Sequence, residues 1–326
     1  MQTTMPPPHP SWESALERYF AFRDKHDLRD RTRREERRIL NECRARLAHV
    51  SLPHRISEED LLGLFQQLKA KGLATKTQTQ YATALRSFLG YLGAPAEKWV
   101  PSFPSSGGGE EGRYLSDEER GRLWAACRTP EDELILALGL GAGWRRSDVL
   151  GAMLTDFKPS SEAPTTVTLH GKGEKYTTRS LELHPKIREV MPRYLVYRTA
   201  QVARALHKVP SSTDRGHLFL AVSWGTGLGP MRPTTFDRRI SAIYERAQVD
   251  AGGWPSHNLR RTWADNRLEA LTRHYESLGT SPALTLEMAL RQVCWEGRWK
   301  DEKTLRQSYL KRRMAPTAEA WALTKV

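Results

Sequence analysis

Cysteine is scarce. The 326 residues hold three, Cys43, Cys127 and Cys294, far apart and with no C-x-x-C pair. Neither a zinc site nor a disulfide framework is expected, and a reduced, intracellular setting follows. No run of 18 apolar residues occurs, so no membrane span is expected. The opening MQTTMPPPHP has neither the basic start nor the apolar stretch of a secretory signal. The phosphate-loop spacing G-x-x-x-x-G-K-[ST] is also absent, so Gly171-Lys-Gly173 does not read as a nucleotide cradle.

What the chain has is positive charge. Lys and Arg number 51 against 38 Asp and Glu, a formal net charge of +13. Residues 1–100 carry 17 Lys and Arg against 12 Asp and Glu, and the remainder 34 against 26. Both parts are basic, which points to a polyanion gripped by both. With 39% hydrophobic and 27% charged residues the chain reads as globular, and its length suits two domains, each with a core.

Residues 1–10 are Pro-rich and are expected to be disordered. Residues 11–100 read as four helices. The second carries Arg31-Thr-Arg-Arg-Glu-Glu-Arg-Arg38, either a solvated face or a phosphate-tracking stripe through Arg33, Arg34 and Arg37. Ser57 caps the third. The fourth, Thr75 to Leu92, has Lys76 and Thr77 at its N-terminal end, where phosphate is favoured, and Arg86 further along. Residues 101–112, rich in Pro, Ser and Gly, read as a flexible linker. Residues 113–326 read as a second, α+β domain with a C-terminal tail. In it, Ser116-Asp-Glu-Glu119 is a capping box, and 166–170 and 177–183 are strands joined by Gly171-Lys-Gly-Glu-Lys175. Leu218-Phe-Leu220 reads as a lone short strand.

Several residues carry chemistry. His257 and Arg260 stand three apart in a run that reads as a helix start, with Pro255 in its first turn and Ser256 as its cap, and such residues share a face. An imidazole beside a guanidinium suits a phosphate. Arg145 and Arg146 lie at a Gly-rich junction, and Asp148, three after Arg145, is placed to orient its guanidinium. Lys172 tips the expected hairpin, with Lys175 beside it. Tyr309 is surrounded in sequence by Arg306, Lys311, Arg312 and Arg313, and a phenol needs such help before it can attack at neutral pH. Each feature alone is more often ordinary surface or core.

Taken in order, Arg145, Lys172, His257-x-x-Arg260, Trp299 and Tyr309 resemble the tyrosine recombinase (phage integrase-type) family. Gly143-Trp-Arg-Arg-Ser-Asp148 resembles its G-x-R-x-S-[ED] box, Gly171-Lys-Gly-Glu-Lys175 its hairpin lysine, His257-Asn-Leu-Arg260 its H-x-x-R, Gly297-Arg-Trp299 its G-H/W position, and Tyr309 its nucleophile. The helix from Thr75 to Leu92 resembles, by its pattern from Thr77, the last helix of the family's core-binding domain. Trp299 stands where most members have His, and its interval to Tyr309 is one residue longer than usual.

The resemblance implies a mainly α fold with a small antiparallel sheet. An all-α core-binding domain and an α+β catalytic domain would form a C-shaped clamp. It implies cleavage of double-stranded DNA at a specific recombination site through a 3′-phosphotyrosine, with strand exchange through a Holliday junction in a homotetramer on two sites. Arg145 and Arg260 would clamp the phosphate, Lys172 would protonate the leaving oxygen, His257 would take the tyrosine proton or add a hydrogen bond, and Asp148 would brace the site. No metal or other cofactor is implied, and no membrane. A type IB topoisomerase and a catalytically dead architectural DNA-binding protein remain as alternatives.

Overall fold

The computed structural model describes residues 11–24, 30–103, 113–170, 178–223, 227–299 and 301–310. The chain divides into two compact units, residues 1–109 and 110–326.

The first unit is helical: α1 (Trp12–Asp24), α2 (Asp30–Arg46), α3 (Glu58–Ala70) and α4 (Thr75–Tyr91), with two short 3-10 turns. Leu16, Leu40, Leu64, Leu85 and Phe88, drawn from all four helices, meet in one core. Trp12 stacks on Phe88 with centroids 5.7 Å apart, and its indole N–H donates to Val50 O at 2.8 Å. Ser57 closes a capping box with Asp60 at the start of α3.

The charged run of α2 is not a uniform solvated face. Glu36 is buried, accepts the Tyr19 hydroxyl at 2.7 Å and pairs with Arg23 at 3.3 Å. Arg33 pairs with Asp24 at 2.7 Å, Arg38 with Glu35 at 2.8 Å, and Arg37 lies over the Phe20 ring at 4.4 Å. Arg34 and Lys76 are exposed, and Thr77 is half-buried. Arg86 donates to Val100 O at 2.9 Å and Pro101 O at 3.3 Å, so it fastens the chain leaving α4.

The second unit opens with α5 (Asp117–Ala125), α6 (Pro130–Ala142) and α7 (Arg146–Gly151). An antiparallel sheet follows, in the order β1 (Phe157–Lys158), β2 (Thr166–His170), β3 (Thr178–Glu182). Its register sets Val167 opposite both Phe157 and Leu181, and all three are buried against the helices. α8 (Pro185–Lys208) comes next, then the hairpin β4 (Leu220–Ser223) and β5 (Gly227–Pro230). The expected lone strand at 218–220 is therefore displaced to 220–223 and has a partner. The helices α9 (Pro233–Arg246), α10 (Pro255–Ser277), α11 (Pro282–Glu296) and α12 (Glu302–Tyr309) complete the unit. Pro130, Pro185, Pro233, Pro255 and Pro282 each open a helix, where a missing N–H costs nothing and the fixed φ suits the first turn. Among the described residues no helix is long and apolar enough to cross a membrane.

Glu42 links α2 to α4 and the end of α3. It accepts the Tyr81 hydroxyl, Arg46 at 3.0 Å and Lys71 at 3.3 Å. The Tyr81 hydroxyl, with help from Arg46 and Lys71, holds its carboxyl down at about 2. A carboxylate depressed on folding contributes stability above its unfolded value and loses it as pH falls toward the folded one. Stability to urea should therefore fall between pH 4.5 and pH 2, and Glu42→Gln should flatten that part of the profile. An unchanged slope in the variant would remove Glu42 from this role.

Candidate active site

The site is built where α6, α7, α10 and α12 meet the turn after α11. Trp263 on α10 and Trp299 after α11 stack at 6.0 Å and 17° within a small core that also holds Leu290, Val293, Leu305 and Leu310. Tyr309 sets its ring edge-on to Trp299 at 4.8 Å and 65°.

Arg260 projects from α10 into this aromatic group and is 1% exposed. Its guanidinium carbon lies 4.0 Å from the Trp299 ring centroid and 5.4 Å from that of Tyr309. Nη1 donates to Gly143 O and Nη2 to Gly297 O. Burial, then the nearby charge of Arg145, pulls its pKa down to about 9, with Tyr309 and Asp148 opposing, so it stays cationic at neutral pH. A desolvated cation over indole gains on the order of 2 kcal/mol.

The two glycines are dictated by crowding. Gly143 ends α6 at φ 61, and a Cβ there would overlap the Trp263 ring. A Cβ on Gly297 would overlap the Trp299 ring. Each glycine thus lets an indole close in while its own carbonyl turns to Arg260.

Arg145 is the N-cap of α7 and is partly buried. Its Nη2 donates to Arg298 O at 3.1 Å, and its guanidinium carbon lies 6.0 Å from the Trp299 ring centroid. Burial lowers its pKa, Asp148 raises it, and Arg298 lowers it. The next residue does different work: Arg146 pairs with Asp237 on α9.

Asp148 does not hold the Arg145 guanidinium, as the sequence suggested. Its Oδ2 accepts the Arg145 backbone N–H at 2.8 Å and pairs with Arg298. The i,i+3 spacing brings the carboxylate back to the cap N–H instead, and the cation it finds comes from 150 residues away. Nothing in local periodicity marks Arg298. Its only signal in the sequence is its place between Gly297 and Trp299.

His257 lies one turn before Arg260 on α10, but it is exposed where Arg260 is buried. Its ring meets the exposed Trp254 edge-on at 6.3 Å. Ser256 is not the cap: Trp254 holds that position and Pro255 and Ser256 follow inside the helix. Lys172 and Lys175 lie outside the described residues, as does the tail beyond Leu310. The Tyr309 carbonyl accepts the Tyr114 hydroxyl at 2.7 Å, and Leu115 N–H donates to Thr262 on α10 at 2.9 Å. Tyr114 and Leu115 therefore strap α12 to α10.

The structure thus gathers Arg145, Arg260, Trp299 and Tyr309, with Asp148 behind them. Among the described residues Arg260 Nε, Arg298 Nε and Trp299 Nε1 are buried with no hydrogen-bond partner, so unpaired donors gather here, as suits an anion. A cleft of about 630 Å³ between α6, β3, α10 and α11, lined by Trp144, His184, Arg188, Arg267 and Trp295, holds none of these residues except Trp263.

No protein-family model matches the chain, and no curated protein matches it. Solved structures do. An integrase of the Tn1549 transposon, solved with transposon right end DNA, has a TM-score of 0.59 at 12% identity, covering 94% of this chain and 96% of that one. The same integrase with circular intermediate DNA gives 0.56 at 14%, covering 94% and 97%. A lambda integrase dimer bound to a COC′ core site gives 0.56 at 12%, covering 94% and 79%. At these identities the likeness is one of fold: the chain has the mainly helical fold of these integrases.

Gly143→Ala should destabilise the chain by roughly 2–4 kcal/mol, from a left-handed backbone plus overpacking on Trp263. Urea unfolding checks it, and a change below about 0.5 kcal/mol, the range of a neutral surface substitution, would contradict the crowding argument.

Proposed function

We propose that this chain is a tyrosine-type site-specific DNA recombinase. Tyr309 Oη attacks a DNA phosphorus in line. The bond to the 5′-oxygen breaks, and a 3′-phosphotyrosine forms. Lys172 gives its proton to the departing 5′-oxygen, while His257 takes the tyrosine proton or adds a hydrogen bond. Arg145 and Arg260 take the two non-bridging oxygens, exchanging the carbonyls of Arg298, Gly143 and Gly297 for phosphate. Trp299 Nε1 donates to the same phosphate but moves no proton, since indole is a donor only. A 5′-hydroxyl of a partner strand then attacks the phosphotyrosine and releases Tyr309, completing strand exchange through a Holliday junction.

The ester stores the energy of the broken bond, so the reading needs no ATP, and the arginines meet the phosphate charge, so it needs no metal. It takes the first unit as the core-binding domain, with the exposed Arg34 and Lys76 among its phosphate contacts, and the working assembly as a homotetramer on two DNA sites. The observation that carries it is the meeting of Arg145, Trp299 and the Tyr309 ring around the buried Arg260 cation. The neighbours of like fold, solved with DNA, support it.

Duplexes enriched by binding from a randomised library, then nicked to trap the intermediate, provide the test. The wild-type chain should give a denaturant-stable adduct whose modified peptide carries Tyr309. Tyr309→Phe should give none while binding DNA within about three-fold of wild type. An adduct retained by the variant would sink the nucleophile assignment.

A further inference from the structure

We propose that Arg298 is a positioning residue for the two phosphate-clamping arginines. This deepens, and rests on, the reading above. Arg298 has φ 56, one of two non-glycine residues with positive φ among those described. Glycine adopts that backbone freely, and a long side chain does so only at a cost. The cost is met by a buried ion pair: the Arg298 guanidinium, 7% exposed, joins Asp148, 8% exposed.

That pair closes a ring. The Asp148 oxygen that receives Arg298 also accepts the backbone N–H of Arg145. The Arg145 guanidinium returns to the Arg298 carbonyl. One residue earlier, the Gly297 carbonyl receives Arg260. One residue later, Trp299 lies beneath Arg260. A single turn, 297–299, thus offers successive carbonyls to Arg145 and Arg260 and sets the indole between them, and the Arg298 side chain locks that turn to the cap of α7. Its guanidinium touches neither Tyr309 nor a reacting atom in this arrangement; it works through the residues it holds.

The consequence separates it from a fold-stabilising role. Arg298→Gly relieves the backbone but leaves the buried Asp148 carboxylate without its charge partner, so the melting temperature should fall while the chain still folds, and the two arginines lose their register. Adduct formation on the nicked, enriched duplex should fall on the order of ten- to a hundred-fold, with DNA binding nearly unchanged. On the same duplex carrying a neutral methylphosphonate at the cleaved position, less charge needs clamping. There the gap between wild type and variant should shrink to within about three-fold. Asp148→Asn keeps the shape and the strained backbone but removes the charge, so it should lower the melting temperature. Its adduct formation should show the same loss on the phosphate duplex and the same narrowing on the methylphosphonate, and it carries the test if Arg298→Gly does not fold.

A wild-type rate in Arg298→Gly on the phosphate duplex would overturn the assignment. So would equal losses on both duplexes. Failure of the wild-type chain to form any adduct on either duplex would instead overturn the functional reading itself.

Discussion

A cation with almost no solvent governs the second unit. Arg260 is 1% exposed, and a charge so placed survives only if the protein replaces what water gave it. Two carbonyls and two aromatic faces do this, from Gly143, Gly297, Trp299 and Tyr309. Those four groups come from the end of α6, the turn after α11 and the end of α12. Satisfying one guanidinium therefore fixes the relative position of three segments.

The local sequence around each segment follows from that demand. Glycine is needed at 143 and 297 because an indole occupies the space a Cβ would take. Tryptophan is needed at 299 because a flat apolar face must lie against the cation while the ring packs at a steep angle on Tyr309. Proline at 255 starts α10 where Arg260 then falls one turn and a residue later, facing inward. Tyr114 and Leu115 complete the enclosure by fastening α12 and α10 from outside. Structure and proposed chemistry share this basis: the carbonyls of Gly143, Gly297 and Arg298 hold the guanidiniums that a phosphate would take over, so binding exchanges one set of oxygen acceptors for another.

Much of the fold was legible in the sequence. Most helices stand out by apolar spacing, three of them also by Ser57, Ser116 and Pro255 at their starts. What escaped had short or non-local causes. The two residues of β1 and the true place of β4 are set by pairing, which short apolar runs do not announce. Of the candidate site, the residues that resemble a family were readable in order, but their bonds were not. Spacing put Asp148 near Arg145 and could not show that its charge partner would be Arg298. Arg298 itself was invisible because its importance lies in a backbone angle. The periodicity that put His257 and Arg260 on one face carried no information about depth, and they differ greatly in burial.

The most direct measurement is a crystal structure of the chain on an enriched DNA duplex with vanadate bridging the cut ends. The account predicts vanadium bonded to Tyr309 Oη, with Arg145 and Arg260 turned from their carbonyls onto its equatorial oxygens. Vanadate held by other side chains, with Arg260 still donating to Gly143 and Gly297, would contradict it.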